Sequence, residues 1–165
     1  MTIETKQPQF SVRWRDAFKV GIDQVDKEHQ HLFNLVGKLH GETVMDVLDE
    51  LLDYVSQHFQ HEEELMKLAS YPDFAEHVAQ HEALTNSVAE FISGTTNWDE
   101  ERVRELRVFA TKWLVGHILN SDLKFGRWFR DNPVEVMLDS ESHFHKIEQK
   151  KVRWFDRFLG SASRG

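Results

Sequence analysis

Ligand-type side chains spaced four residues apart, on segments with a helical apolar period, constrain this chain more than any other feature. His58 with Glu62 is one such pair and His77 with His81 is another. Four residues slightly exceed one α-helical turn, so the members of a pair lie about 40° apart around the axis and share a face. His29 falls on a third segment of this kind, and His117 with Asp122 on a fourth. A fold that turns these four faces inward surrounds one interior with five imidazoles and two carboxylates. That mixture suits iron better than calcium or magnesium, and carboxylates that can bridge make two ions the expected occupancy.

The apolar periodicity predicts the helices. Val25, Leu32, Leu35, Val36 and Leu39 give a first helix over about 23–40, closed by Gly41. Val44, Val47, Leu48, Leu51, Leu52 and Val55 lead into His58 and Glu62, giving a second over about 42–68. Tyr71-Pro72 marks a turn, with proline in the first turn of a third helix that runs to about Ile92. The fourth starts near Trp98-Asp99-Glu100-Glu101 and ends before Asn132-Pro133, carrying Val103, Leu106, Phe109, Ala110, Trp113, Leu114, His117 and Ile118. Residues 1–22 show no helical period and read as an ordered loop arm laid on the bundle. The expected fold is all-α: an antiparallel up-down four-helix bundle (23–131), with the arm (1–22) before it and an extension (132–165) after it.

His117 and Asp122 are five apart, which on a regular helix rotates one about 140° from the other. A π-bulge brings such a pair to one side, and the spacing predicts one near Leu119–Ser121.

Between them, Trp14, Val20-Gly21-Ile22, Asp26-x-x-His29, Leu32-Phe33, His58-Phe59-x-x-Glu62-Glu63-x-x-Met66, Tyr71-Pro72, His77-x-x-x-His81, Trp113-Leu114-x-x-His117 and Asp122 resemble the hemerythrin family, bacterial branch, over about residues 10–130. The resemblance implies a four-helix bundle with a non-haem di-iron centre, an oxo or hydroxo bridge between the irons, and reversible binding of dioxygen. It implies that His77, His81 and His117 ligate one iron, that His29 and His58 ligate the other, and that Glu62 and Asp122 bridge the two. The iron with only two histidines would then keep a coordination position open. Trp113 and Leu114 match the family's pocket-lining stretch. With Phe59 they read as core packing that also gives dioxygen a dry pocket.

Composition narrows the alternatives. With no cysteine there is neither a thiolate zinc site nor an iron–sulfur cluster. A formal charge of −8 argues against general nucleic-acid binding, and no glycine-rich phosphate loop is present. No apolar run nears the roughly 20 residues that span a bilayer, and the polar start lacks a secretory pattern, so the cytoplasm is the expected location. His31, His40, His61, His143 and His145 are expected to have no metal role.

Past Pro133, Phe144, Ile147, Trp154, Phe155, Phe158 and Leu159 recur at helical spacing beside a basic stripe of Lys146, Lys150, Arg153 and Arg157. This predicts an amphipathic helix that packs on the bundle or docks to a protein partner or an acidic membrane surface. The leading functional expectation is dioxygen storage, delivery or sensing without enzymatic turnover or catalytic residues. The alternative is a di-iron redox enzyme, or a scavenger of peroxide or nitric oxide. It is disfavoured because such bundles use two Glu-x-x-His motifs and only Glu28-x-x-His31 matches.

Overall fold

The computed structural model describes residues 13–133, so the C-terminal amphipathic helix expected over 144–159 lies outside the described residues. The fold is an all-α four-helix bundle: α1 (Asp23–Lys38), α2 (Val44–Leu68), α3 (Phe74–Ser93) and α4 (Glu100–His117). The last continues through a π turn (Ile118–Asp122) into α5 (Leu123–Asp131). The connections are short, which makes successive helices antiparallel neighbours.

The boundaries differ from the periodicity in small, explicable ways. Helix α1 stops at Lys38, because Leu39 turns extended (ψ 99°) and Gly41 takes a left-handed φ of +49° into a 3-10 turn over Gly41–Thr43. Pro72 is not in the first turn of α3; it precedes Asp73, which holds the N-cap position, without a side-chain cap, of a helix starting at Phe74. The α2 terminus is closed by Ser70 at φ 49°, with the Tyr71 amide donating to the Met66 carbonyl and the Ser70 amide to that of Lys67. This paired closure normally uses glycine. It carries the buried Tyr71 against Phe125, 5.2 Å between ring centroids, while Trp128 Nε1 donates to the Ala69 carbonyl. The α2–α3 turn is thereby fastened to α5, which sets the height of His77 and His81 relative to His117. At the opposite end, Asp99 caps α4 by accepting from the Arg102 amide at 2.9 Å.

The core follows the apolar stripes of α1, α2 and α4: Val25, Leu32, Leu35, Leu48, Leu51, Leu106, Leu114 and Ile118 are buried. Helix α3 is different. Its most buried residues are His77, His81 and Leu84, so it turns imidazole inward near its start, while Val88, Phe91 and Ile92 pack half-buried on the core further along.

The described part of the arm packs on α1 and α5. Phe18 stacks on Phe33 at 5.4 Å, and Trp14 lies 6.4 Å from the His29 ring. Buried Asp26 accepts from the amides of Val20 (2.7 Å) and Gly21 (3.2 Å), a turn that Gly21 permits by taking φ +87°. Gly126 lets the Val20 carbonyl lie directly against α5, and a Cβ at Gly126 would overlap that backbone oxygen. Gly126→Ala is therefore expected to cost about 2 kcal/mol through displacement of the arm, read as a lowered melting temperature; an unchanged melt would contradict the contact.

Candidate metal centre

All seven ligand-type side chains proposed from the sequence are buried, at 7% exposure or less. The π turn spans Ile118–Asp122, slightly wider than expected, and brings Asp122 Oδ1 to 2.9 Å from His117 Nε2. Its i→i+5 bonding accommodates the extra residue that a regular helix would rotate away.

Two groups of donor atoms converge, each within 4.8 Å of one another: Glu62, His77, His81 and His117 in one, His29, Glu62 and Asp122 in the other. Glu62 belongs to both. Asp122 faces both as well, with Oδ1 at 3.3 Å from His77 Nε2 and Oδ2 at 3.2 Å from His29 Nε2. His58 stands outside these tight groups, with its ring 4.7 Å from that of His29 and its Nδ1 occupied by Glu28.

The donors are arranged poorly for one another and well for a cation. His117 Nε2 lies 3.1 Å from Nε2 of both His77 and His81. A hydrogen bond needs one N–H and one lone pair, so three imidazole nitrogens pointed at a common spot are best served by an ion that takes all three lone pairs. Both nitrogens of His29, Glu62 Oε1 and both oxygens of Asp122 are buried with no aligned hydrogen-bond partner among the described residues. Orphaned buried polar atoms are costly, and their convergence marks the place of a missing partner. The residues present fit a pair of transition-metal ions.

Electrostatics agree. Burial and repulsion from Asp122 would raise the Glu62 carboxyl, yet His77 and His81 hold it below the usual range. Burial would likewise raise Asp122, but His117, His29 and His77 outweigh it and hold it well down. Burial disfavours the charged form of His77, while Asp122 and Glu62 push it up to about 9. The site thus keeps its carboxylates anionic, with protons on imidazole standing in for metal charge.

Three residues absent from the expected site support its histidines. Glu28, which burial would raise but hydrogen bonds from His58 and His61 hold at about 2, bonds His58 Nδ1 and His61 Nδ1 at 2.8 Å each. His81 Nδ1 donates to Glu63 at 3.0 Å. Glu28-x-x-His31 is consequently no chelating pair: Glu28 turns to α2, and His31 lies against Tyr54, 4.3 Å between rings. Glu28 and its α2 partners are 30 or more residues apart in sequence, and no local periodicity reveals such a contact.

Phe59 stacks flat on His81 at 3.6 Å and Trp113 on His117 at 4.5 Å. With Leu114 they border a cavity of about 570 Å³ that also touches His29, His58 and Asp122 and extends along the bundle to Leu48 and Leu106. It meets solvent at the exposed residues Gln60, Glu82 and Asn86, between α2 and α3.

Several known proteins are similar to this chain. The Hemerythrin family model, described as a hemerythrin HHE cation binding domain, matches residues 20–129. A bacteriohemerythrin of Stenotrophomonas maltophilia (strain R551-3) is 32% identical over 158 residues, covering 89% of this chain and 97% of that protein. A hemerythrin of Themiste dyscrita is 32% identical over 112 residues, covering 68% of this chain and 88% of that protein. The crystal structure of a wild-type hemerythrin superposes with a TM-score of 0.61 at 33% identity, covering 70% of this chain and 95% of the other. With a bundle whose interior gathers histidines and carboxylates from α1 to α4 and the π turn, and with the family model matching residues 20–129, the chain belongs to the hemerythrin family.

Proposed function

We propose that this chain binds dioxygen reversibly at a di-iron centre. His77, His81 and His117 would hold one iron, His29 and His58 the other, and Glu62 and Asp122 would bridge them. The supporting observation is that each carboxylate is shared between the two halves of one donor cluster, which opens on an apolar cavity. Bound there, the iron pair supplies the electrons and the open coordination position with which dioxygen combines.

The protein's own residues make that chemistry reversible. Five neutral imidazoles with only two carboxylates favour the reduced metal over the high-valent states that oxygenases use. Phe59 and Trp113 cover the imidazole faces of His81 and His117, an apolar wall that disfavours the water and protons that promote irreversible oxidation. The gap between α2 and α3 offers a small apolar gas a route in. Hemerythrins are oxygen-binding proteins and not enzymes, and no side-chain acid or nucleophile is needed here. The binding would serve storage, delivery or sensing of oxygen.

The test is an absorption spectrum of the iron-loaded protein, reduced without air, exposed to oxygen and returned to vacuum. Visible absorption that appears with oxygen and vanishes under vacuum is expected. Prompt one-way conversion to a stable oxidised form would overturn the reading in favour of a redox enzyme or scavenger.

A further inference from the structure

The two histidines assigned to the two-histidine iron are held in opposite ways. His29 turns Nε2 toward Asp122 Oδ2 at 3.2 Å without an aligned hydrogen bond, and its Nδ1 has no partner among the described residues. His58 is anchored: its Nδ1 donates to Glu28 Oε2 at 2.8 Å, and Glu28, from α1, is 3% exposed. The other oxygen of Glu28 accepts from His61 Nδ1 and from Gln24 Nε2, each at 2.8 Å. His58 and His61 are three apart on α2 and share a face, so a single α1 carboxylate is clasped between two α2 imidazoles. A carboxylate with three N–H donors cannot rotate away from His58 without breaking its other bonds. Because Glu28 takes the proton-bearing Nδ1 of His58, the lone pair left for a metal is on Nε2.

We propose that Glu28 is a positioning residue for His58, that His61 and Gln24 lock it in place, and that this clasp sets the metal affinity of the two-histidine half of the centre. The inference rests on the ligand set proposed above. It gives His61, which ligates nothing, a defined task. Carboxylates that orient a ligating imidazole and fix its tautomer are worth about 10–100-fold in metal affinity. The effect should be confined to one ion, since Glu28 hydrogen-bonds none of His77, His81 and His117.

The experiment is an anaerobic iron(II) titration of the full chain against a competing chelator, for wild type, Glu28→Leu, Glu28→Gln and His61→Leu. Nitrogen-15 NMR of the imidazoles is recorded on the zinc-loaded forms. Glu28→Leu is expected to keep one ion at near wild-type affinity and to hold the second about 10–100-fold more weakly. His61→Leu should weaken the same ion by less, and Glu28→Gln, which keeps an acceptor oxygen, should recover part of the loss. The His58 resonances should lose their single Nδ1-protonated tautomer in Glu28→Leu while those of His77 and His81 stay unchanged. Equal weakening of both ions, or of neither, overturns the proposal. Should Glu28→Leu fail to fold, His61→Leu decides: selective weakening of one ion supports the clasp, and wild-type affinity for both overturns it. A wild-type chain that takes up fewer than two ions overturns the proposed function and this inference with it, whereas two ions in both wild type and Glu28→Leu at equal affinity overturns this inference alone.

Discussion

Glu62→Ala is expected to reduce bound iron from two ions per chain to one or none and to abolish the oxygen-dependent absorption. Glu62 is fully buried, and it is the residue common to both donor groups. Its removal takes a ligand from each half at once, whereas loss of His77 takes one from a single half. The variant should remain folded when metal-free. Glu62 and Asp122 are like charges in one buried cluster, and Asp122 pushes the Glu62 carboxyl toward its neutral form. The pairing of Glu62 with His77 and His81 outweighs that repulsion, so the metal-free variant should melt somewhat lower than the metal-free wild type. His40→Ala, at an exposed position, is the matched control and should keep both ions. Two irons and an unaltered spectrum in Glu62→Ala would contradict the bridging assignment.

Stripping the metal from the wild type is the second large effect. An ion present at a thousandfold excess over its dissociation constant stabilises the folded state by about 4 kcal/mol, so two contribute about 8. For a chain of this size each kcal/mol corresponds to roughly 2–4 °C, so chelation should lower the melting temperature by about 15–30 °C. The loss should fall first on α3. The most buried residues of that helix are His77, His81 and Leu84, and without a cation its two imidazoles lie 3.1 Å from a third, held only by carboxylates such as Glu62 and Asp122. Hydrogen exchange should accelerate across 74–93 before it does so in α1 or α2, whose buried stripes are aliphatic. Uniform loss of protection across the bundle would show that the centre does not specifically hold α3. Glu62→Ala should melt with little response to chelator, which links the two measurements.

Much of this architecture was legible in the chain because its causes are local. Pairs at i, i+4 such as His58/Glu62 and His77/His81 share a helical face in any fold. The five-residue step from His117 to Asp122 conflicts with a regular helix and so announces the π turn found at Ile118–Asp122. Helix ends were less legible, because they depend on single backbone choices. Gly41 and Ser70 both adopt positive φ, but glycine advertises that freedom and serine does not. Pro72 could open a helix or precede its cap, and both satisfy its fixed φ and missing N–H.

The support of the site was only faintly legible. Glu28 reads as an ordinary acidic residue beside a ligand, and His61 as a histidine either at the surface or just behind the site, next to Glu62. Only the packing of α1 against α2 places that carboxylate between His58 and His61. The cavity reaching from the centre toward Leu48 and Leu106 is likewise a property of how far apart four helices settle, which no single helix encodes. Sequence by itself determined the donor-type side chains, the faces they occupy and the π turn, since each follows from angular spacing along one helix. Tertiary structure alone decided which oxygen of Asp122 faces which histidines, that Glu62 belongs to both groups, and that His58 Nδ1 meets a carboxylate where His29 Nδ1 meets none. Those are distances between atoms on different helices, set by long-range packing and by the need to satisfy buried polar groups.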